Sequence, residues 1–385
     1  GDLFLVVGKG KFHNRRNFDC GRRLDGMKIL ILSASIGSGH TKAAEAIGES
    51  FNCDCDIVDF TAKEISKLNW LAKKIYLSAL KFIPDLYDRI YRFMGKQQTG
   101  TLTRFLTSTS MYFPFVLLLK KYSPDVIICT HPFPEAAASL WKFLHAKSAR
   151  KFLLATALTD YSLHEIWIYG EVDIYFVATE QMKLELAAQT RPNQEIFAVG
   201  IPIGAEFGKV EKIPHDLMTI LIMGGGLGLG SIEETLAELE KISARLKIIV
   251  VCGQNEKLLS RLKNFQSKHE TNFLGNVENV AELMSSADLL ITKPGALTMT
   301  EAFAVGLPMI LNAPIPGPEF KNAEYAVTNG AAVSVGEEKI SAVVERFIKS
   351  PELLAEMKRN AKKISKATAA ADIAKLVAEK FSVYQ

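Results

Sequence analysis

The residues of this chain best suited to chemistry stand at the ends of apolar runs. His40 follows the Gly-rich turn Ser35-Ile36-Gly37-Ser38-Gly39 and opens a helical stretch. His131 and Asp160 each follow a run of aliphatic residues, and His164 lies just beyond Asp160. A neutral imidazole or a carboxylate in such a place can take a proton from a bound hydroxyl. At a helix start the macrodipole disfavours an imidazolium, so His40 is expected to stay neutral, as a general base must. A histidine after a Gly turn also serves as a cap or a packing residue, and the residue types alone leave both readings open. His145, His215 and His269 carry no such signal.

The most specific stretch runs from Ile291 to Asn322, ITKPGALTMTEAFAVGLPMILNAPIPGPEFKN. An apolar run ends at Ile291, and Lys293-Pro294-Gly295 is a turn signal. Ala296 to Val305 then predicts a helix that Gly306-Leu307-Pro308 stops. Met309-Ile310-Leu311 is a further strand, and a Pro/Gly loop follows. Such a turn leaves the backbone N–H groups of Ala296, Leu297 and Thr298 pointing out of the helix start, where they and the dipole favour a phosphate. Glu301, about one turn in, is close enough to reach a sugar diol beside that phosphate. The plainer reading is one more strand–helix unit of a parallel sheet with Glu301 on an exposed face.

The elements that must position these groups alternate strand and helix. Strands are expected at Lys28–Ser33, Asp54–Asp59, Asp125–Thr130, Phe152–Leu158, Ile174–Ala178 and Ile196–Val199. After a weaker region a second series opens at Thr219–Met223. The run Gly224 to Ser231 follows it, with further strands at Lys247–Cys252, Asn272–Leu274 and Asp288–Thr292. This pattern predicts an α/β chain of two doubly wound Rossmann-like domains facing a cleft, with polar strand-end residues on the ligand edge. The expected bounds are an extension at 1–26 that either precedes the natural start at Met27 or is a mobile segment, a first domain at 27–207 and a linker at 208–216. A second domain spans 217–350, and C-terminal helices at 351–385 pack back toward the first. The first turn lacks the Gly-Lys-Ser/Thr ending of a P-loop. It also misses the third Gly of a dinucleotide fingerprint, although Asp59 stands near the place of the acid.

A chain of 385 residues with 48% hydrophobic and 23% charged residues can bury proper cores. A net charge of +4 decides nothing about nucleic acid. Five cysteines without ligand-like pairing suggest reduced thiols in a cytoplasmic protein. No apolar run reaches the ~20 residues of a membrane helix. Lys63 to Lys121 differs in character, with eleven cations against three acids and aromatics at helical spacing. Trp70, Tyr76 and Phe82, with Lys73, Lys74, Lys81, Arg89 and Arg92, suit a surface lying on anionic lipid. They equally suit an ordinary helical insertion with a solvated basic face.

Several motifs, in order along the chain from Met27, resemble one family. They are Gly37-Ser38-Gly39-His40, Ala43 to Ile47, Thr159-Asp160 with Leu163 to Trp167, Val177-Ala178-Thr179 and Gly200-Ile201-Pro202-Ile203. Lys293-Pro294-Gly295, Thr300-Glu301-Ala302, Gly306-Leu307-Pro308 and Gly317-Pro318-Glu319 with Asn322 complete the set. The chain is similar to the monogalactosyldiacylglycerol synthases and processive diacylglycerol glucosyltransferases of glycosyltransferase family 28, nearest to the bacterial glucosyltransferases. That resemblance implies the GT-B fold and inverting transfer of a hexose, glucose before galactose, from a UDP-sugar to diacylglycerol or a related lipid. It implies an enzyme on the inner face of the cell membrane that needs no metal or other cofactor and binds no nucleic acid.

The same resemblance implies the roles of individual residues. Glu301 would bind the ribose, and Gly295, Ala296, Leu297 and Thr298 the diphosphate, with Gly225 and Gly226 approaching from the other side. Val277 would read uracil through its backbone, and Glu319 and Asn322 would contact the sugar. Gly37 and Gly39 would shape the acceptor loop, with His40 as the first candidate base and Asp160 the second. Three departures stand out. Pro318 replaces a Gln able to bond sugar hydroxyls, Asn276 replaces an aromatic over uracil, and the first turn is not a pure Gly run. Pro318 keeps open a nucleotide-sugar-binding regulatory protein without transfer activity, and a polyprenyl-linked acceptor also stays open.

Overall fold

The computed structural model describes residues 26–35, 38–51, 53–62, 97–147, 152–212, 216–225, 231–312, 318–336 and 338–384. The expected membrane-contact residues from Trp70 to Arg92, together with Gly37 and Gly226, lie outside the described residues. Contacts divide the chain into one unit of Gly1–Gly204 with Thr368–Gln385 and a second of Ala205–Ala367. The first break thus falls at Gly204, ahead of the expected 207. The expected linker goes with the second unit.

The first unit holds a six-stranded parallel sheet of β1 (Ile29–Ser33), β2 (Cys55–Asp59), β3 (Val126–Cys129), β4 (Leu153–Ala157), β5 (Ile174–Phe176) and β6 (Glu195–Phe197), in the order β2-β1-β3-β4-β5-β6. Every residue of β1, β3, β4 and β5 is buried. That is why these strands read as unbroken apolar runs: a parallel sheet covered on both faces has no solvent side to alternate with. Among the described residues the first unit's helices ahead of the second unit are α1 (Gly39–Ser50), α2 (Gln97–Tyr122), α3 (Pro132–Leu144) and α4 (Glu180–Ala187).

The second unit repeats the scheme with β7 (Thr219–Met223), β8 (Lys247–Val251), β9 (Glu270–Leu274), β10 (Leu289–Thr292), β11 (Met309–Leu311) and β12 (Ala332–Ser334), ordered β12-β11-β10-β7-β8-β9 and parallel throughout. Its helices are α5 (Ile232–Leu239), α6 (Glu256–Leu262), α7 (Val280–Ser285), α8 (Ala296–Val305), α9 (Pro318–Thr328), α10 (Ile340–Lys349) and α11 (Pro351–Ile364). The closing helix α12 (Ala369–Tyr384) returns to the first unit, where Ile373, Val377 and Phe381 join Ile29, Ile47 and Phe176 in one core. Of the two helices within 351–385, α12 packs in the first unit. Met357 of α11 is buried with Ile340, Val344 and Phe347 in the core of the second unit, and that apolar contact keeps α11 there.

In both units the chain winds one way from the first strand and then the other. The reversal falls between β1 and β3 in the first unit and between β7 and β10 in the second. Crossovers that leave a sheet in opposite directions open a crevice at the carboxyl ends of those strands, where such sheets bind ligands. His40 follows the first of these strand ends and Lys293 follows the last.

Local chemistry ends α8 sharply. Gly306 takes φ +77, the left-handed cap conformation, and its N–H and that of Leu307 both bond the Ala302 carbonyl at 2.8 Å. The Lys362 ammonium caps the Ala304 carbonyl, and a Cβ on Gly306 would lie 2.9 Å from Lys362 Cγ and 2.7 Å from its Cε. Gly306→Ala should therefore destabilise the second unit by about 1–2 kcal/mol from left-handed strain alone. Urea unfolding will test this, and a midpoint equal to that of the unaltered chain would show that the turn can re-form.

Candidate active site

At the reversal of the first sheet, Thr130 leaves β3 and Thr159 follows β4, and both meet His40 at the start of α1. The His40 Nδ1 is 2.9 Å from the Thr130 carbonyl and 2.8 Å from the Thr159 hydroxyl, and Thr130 Oγ1 donates to the His40 carbonyl at 2.9 Å. A carbonyl only accepts, so the ring proton sits on Nδ1 and Nε2 keeps a lone pair. Burial pushes the imidazole down to about 4. The neutral state expected from the helix dipole is thus present, but loss of water around the ring is its main cause. Asp160 follows Thr159 directly and is half-buried.

His131 faces His40 edge-on, with ring centroids 4.6 Å apart, and Trp167 lies 6.4 Å from both rings. His131 is the N-cap of α3, its Nδ1 accepting from Phe133 N at 3.1 Å. Its proton is therefore on Nε2, the tautomer opposite to that of His40. Burial, with a smaller contribution from His40, holds its imidazole well below the ordinary range. Two neutral imidazoles thus stand together, one with an accepting Nε2 and one with a donating Nε2. The run Thr130-His131-Pro132 after a strand signals a strand-end histidine, and only the fold shows that it touches His40. Glu135, in the first turn of α3, is fully buried, and burial pushes its carboxyl well above the usual range. Its sequence context looks like an ordinary acid at a helix start.

Asp59 has another task than a free acid at the end of β2. It accepts from Ser35 N at 3.1 Å, Thr61 N at 2.9 Å, Thr61 Oγ1 at 2.7 Å and the Ser35 hydroxyl. Burial raises its carboxyl, and these four bonds more than offset that and hold it below the ordinary value. With its oxygens committed to the turn after β1, Asp59 does not present the carboxylate a dinucleotide ribose requires.

At the reversal of the second sheet, α8 starts at Ala296 with Gly295 as N-cap and no side chain bonding the cap. The N–H groups of Ala296, Leu297 and Thr298 are those an α-helix leaves without an internal acceptor. Gly225 turns next to Lys293 with φ +69, a conformation that suits glycine. Glu301 is half-buried one turn into α8, and Val277 is half-buried in the loop after β9. From α9, Glu319 forms an ion pair with Lys293, and the buried Asn322 donates to the Pro294 carbonyl at 3.3 Å. Both expected sugar contacts therefore converge on the Lys293-Pro294-Gly295 turn, and the Asn322 amide braces its backbone.

Residues 40–203 match the family model for monogalactosyldiacylglycerol (MGDG) synthase, and residues 219–377 match the glycosyltransferase family 28 C-terminal domain. The processive diacylglycerol beta-glucosyltransferase of Bacillus cereus (strain AH187) is 31% identical over 359 residues, covering 88% of this chain and 89% of that protein. The protein of the same description from Bacillus anthracis (strain CDC 684 / NRRL 3495) is 31% identical over 362 residues, with the same coverage of 88% and 89%. Among solved structures, MurG of Acinetobacter baumannii aligns with a TM-score of 0.58 at 15% identity, over 92% of this chain and 99% of that one. HepE of Anabaena in complex with UDP and glucose aligns with a TM-score of 0.52 at 13% identity, over 93% and 100%. At such identities the structural likeness speaks to the fold alone.

The two depressed imidazoles set a pH dependence of stability. Each has a folded value below its unfolded value, so the unfolded chain takes up protons first and stability falls as pH drops below about 6.5. For His40 the loss is complete near pH 4. His131→Asn keeps an N-cap acceptor but cannot titrate. Thermal melts at pH 7 and pH 5 should show a smaller drop for that variant than for the unaltered chain, with any effect of Glu135 common to both. Equal drops would mean that His131 titrates normally in the folded state.

Proposed function

The chain belongs to the MGDG synthase family of family 28 glycosyltransferases, and from that premise we propose that it moves glucose from UDP-glucose to the hydroxyl of diacylglycerol with inversion. The observation that carries this reading is the 31% identity with diacylglycerol glucosyltransferases across both units of the fold. In this reading the second unit holds the donor. The N–H groups of Ala296, Leu297 and Thr298 take the diphosphate, Gly225 lets the backbone approach, Glu301 accepts from the ribose hydroxyls and Val277 meets uracil. Backbone donors and the helix dipole meet part of the diphosphate charge in this reading, and transfer is expected to run without a metal.

The first unit supplies the base. His40 Nε2 takes the acceptor proton while Nδ1–H, held by the Thr130 carbonyl and Thr159, fixes the ring. Asp160 is the second candidate for this role. Turnover of UDP-glucose and UDP-galactose with diacylglycerol tests the reading, with glucose expected to be preferred. His40→Ala should lower the rate at least ~100-fold and leave UDP affinity nearly intact. Activity within a few-fold of the unaltered enzyme would return His40 to a structural role and pass the base to Asp160.

Such an acceptor lies at a lipid surface, and α2 carries a face that suits one. Phe105, Phe113 and Leu117 follow a spacing of four or eight along it and are 60%, 70% and 48% exposed. Lys120 and Lys121 are exposed at its end, and Phe143 and Leu144 are exposed on the neighbouring α3. Among the described residues no helix is long and apolar enough to cross a membrane. The enzyme in this reading binds the inner face of the membrane peripherally, with apolar side chains in the headgroup boundary and cations on anionic phosphates. Co-sedimentation with phosphatidylglycerol vesicles should therefore be strong, and Phe113→Ser with Leu117→Ser should weaken it about tenfold without changing the thermal melt. Undiminished pelleting of that double variant would remove α2 from the lipid-facing surface.

A further inference from the structure

Lys293 occupies the point where the second sheet reverses, between the end of β10 and the start of α8. A Cβ on Gly225 would lie 3.6 Å from Lys293 Cε, and one on Gly295 would lie 3.7 Å from its Nζ. The ammonium is therefore laid across the two glycine turns that flank the uncapped helix start. Its partner is Glu319 of α9, and only 18% of the Lys293 side chain and 13% of the Glu319 side chain are exposed. An ion pair this deep costs nearly as much desolvation as its attraction returns, so stability gives little reason to place one here. Pro294 and Asn322 fix the turn on either side of it, through a rigid backbone and the bond from Asn322 Nδ2 to Pro294 O.

We propose that Lys293 is the cation that meets the diphosphate of the donor, and that Glu319 holds and neutralises it while no donor is bound. This rests on the donor reading above. A diphosphate brings more negative charge than a helix start, equivalent to about half an elementary charge, can balance. An ammonium has three protons to donate, so Lys293 can give one to a phosphate oxygen and keep another on Glu319. In the transfer, the acceptor oxygen bonds the anomeric carbon as the bond from that carbon to the phosphate oxygen breaks. The electron pair departs on UDP and the acceptor proton goes to His40 Nε2. Lys293 exchanges no proton and stabilises the charge that develops on the departing phosphate.

Calorimetry with UDP and UMP separates this from a bracing role. Lys293→Met should lose about tenfold or more in UDP affinity and about twofold or less in UMP affinity, because the second phosphate is what the lysine meets. Its kcat with UDP-glucose should fall more than tenfold as well. Glu319→Gln should bind UDP at least as tightly as the unaltered chain, since it removes a carboxylate that competes for the ammonium. Equal losses for UDP and UMP in Lys293→Met, or a UDP loss in Glu319→Gln as large as in Lys293→Met, would show a pair that only braces the turn. Unchanged UDP affinity in Lys293→Met would overturn the assignment. If Lys293→Met does not unfold cooperatively, Lys293→Arg carries the comparison: a loss confined to UDP supports the assignment and equal ratios overturn it. Failure of the unaltered chain to bind UDP at all would remove the donor reading itself, an outcome distinct from all of these.

Discussion

A parallel sheet must return every strand through a crossover on one face or the other, and where the direction changes no helix covers the carboxyl ends of two neighbouring strands. The candidate site residues described in both units depend on that gap. In the first unit it lies between β1 and β3, and in the second between β7 and β10. The residues that leave those strand ends are forced together however far apart they lie in sequence: His40 meets Thr130 and Thr159, and Lys293 meets Gly225. The sheet interior needs nothing but volume from Val, Ile and Leu. The polar demands of the fold are thus concentrated at two edges, and those edges hold the candidate catalytic groups.

The two edges handle charge in opposite ways, and desolvation explains both. At the first, burial removes the charge: His40 and His131 stay neutral, with tautomers fixed by the Thr130 carbonyl and by the Phe133 N–H. A general base gains from this, because its lone pair is available across the physiological range. At the second edge the charge stays and is compensated, with Lys293 paired to Glu319. An anion-binding site gains from that arrangement, since a positive charge is retained and its partner carboxylate is fixed beside it. Under the proposed transfer, the neutral base would serve the acceptor and the compensated cation the diphosphate of the donor.

Much of this was legible because it is local. The helix at 296–305 and the strand at 309–311 stand where turn chemistry and apolar runs put them, as Gly306 ends a helix by its own backbone preference. What was not legible depends on distance. β12 is a three-residue edge strand too short to show a pattern. Glu135 looks like a first-turn acid, favourable to the dipole in any exposed helix, and only the packing of α3 on the sheet buries it. Asp59 stands near the place of a ribose-binding acid in the sequence, and only the fold shows that Ser35, from the turn after the neighbouring strand, occupies its oxygens. The neutral state of His40 follows from its place at a helix start, but the larger cause is burial, to which residues far along the chain contribute. Contacts of long range decide which polar groups are spent and which are free, and no periodicity encodes them.

Pro318 shows how a local departure can serve the same site. The resemblance leads to an amide at that position, and its loss removes a bonding partner for sugar hydroxyls. In the fold, however, Pro318 is the first residue of α9. A proline at the first helical position gives up an N–H that the helix leaves unused, and its fixed φ already matches the helix. Starting α9 there sets Glu319 at the second helical position and Asn322 one turn later. From those places Glu319 reaches Lys293 and Asn322 reaches the Pro294 carbonyl. Pro318 thus gives a defined start to the helix whose Asn322 braces the Lys293-Pro294-Gly295 turn. Under the proposed transfer, Pro318 bears on which hexose is accepted, and the Lys293–Glu319 pair that would meet the leaving group stays in place.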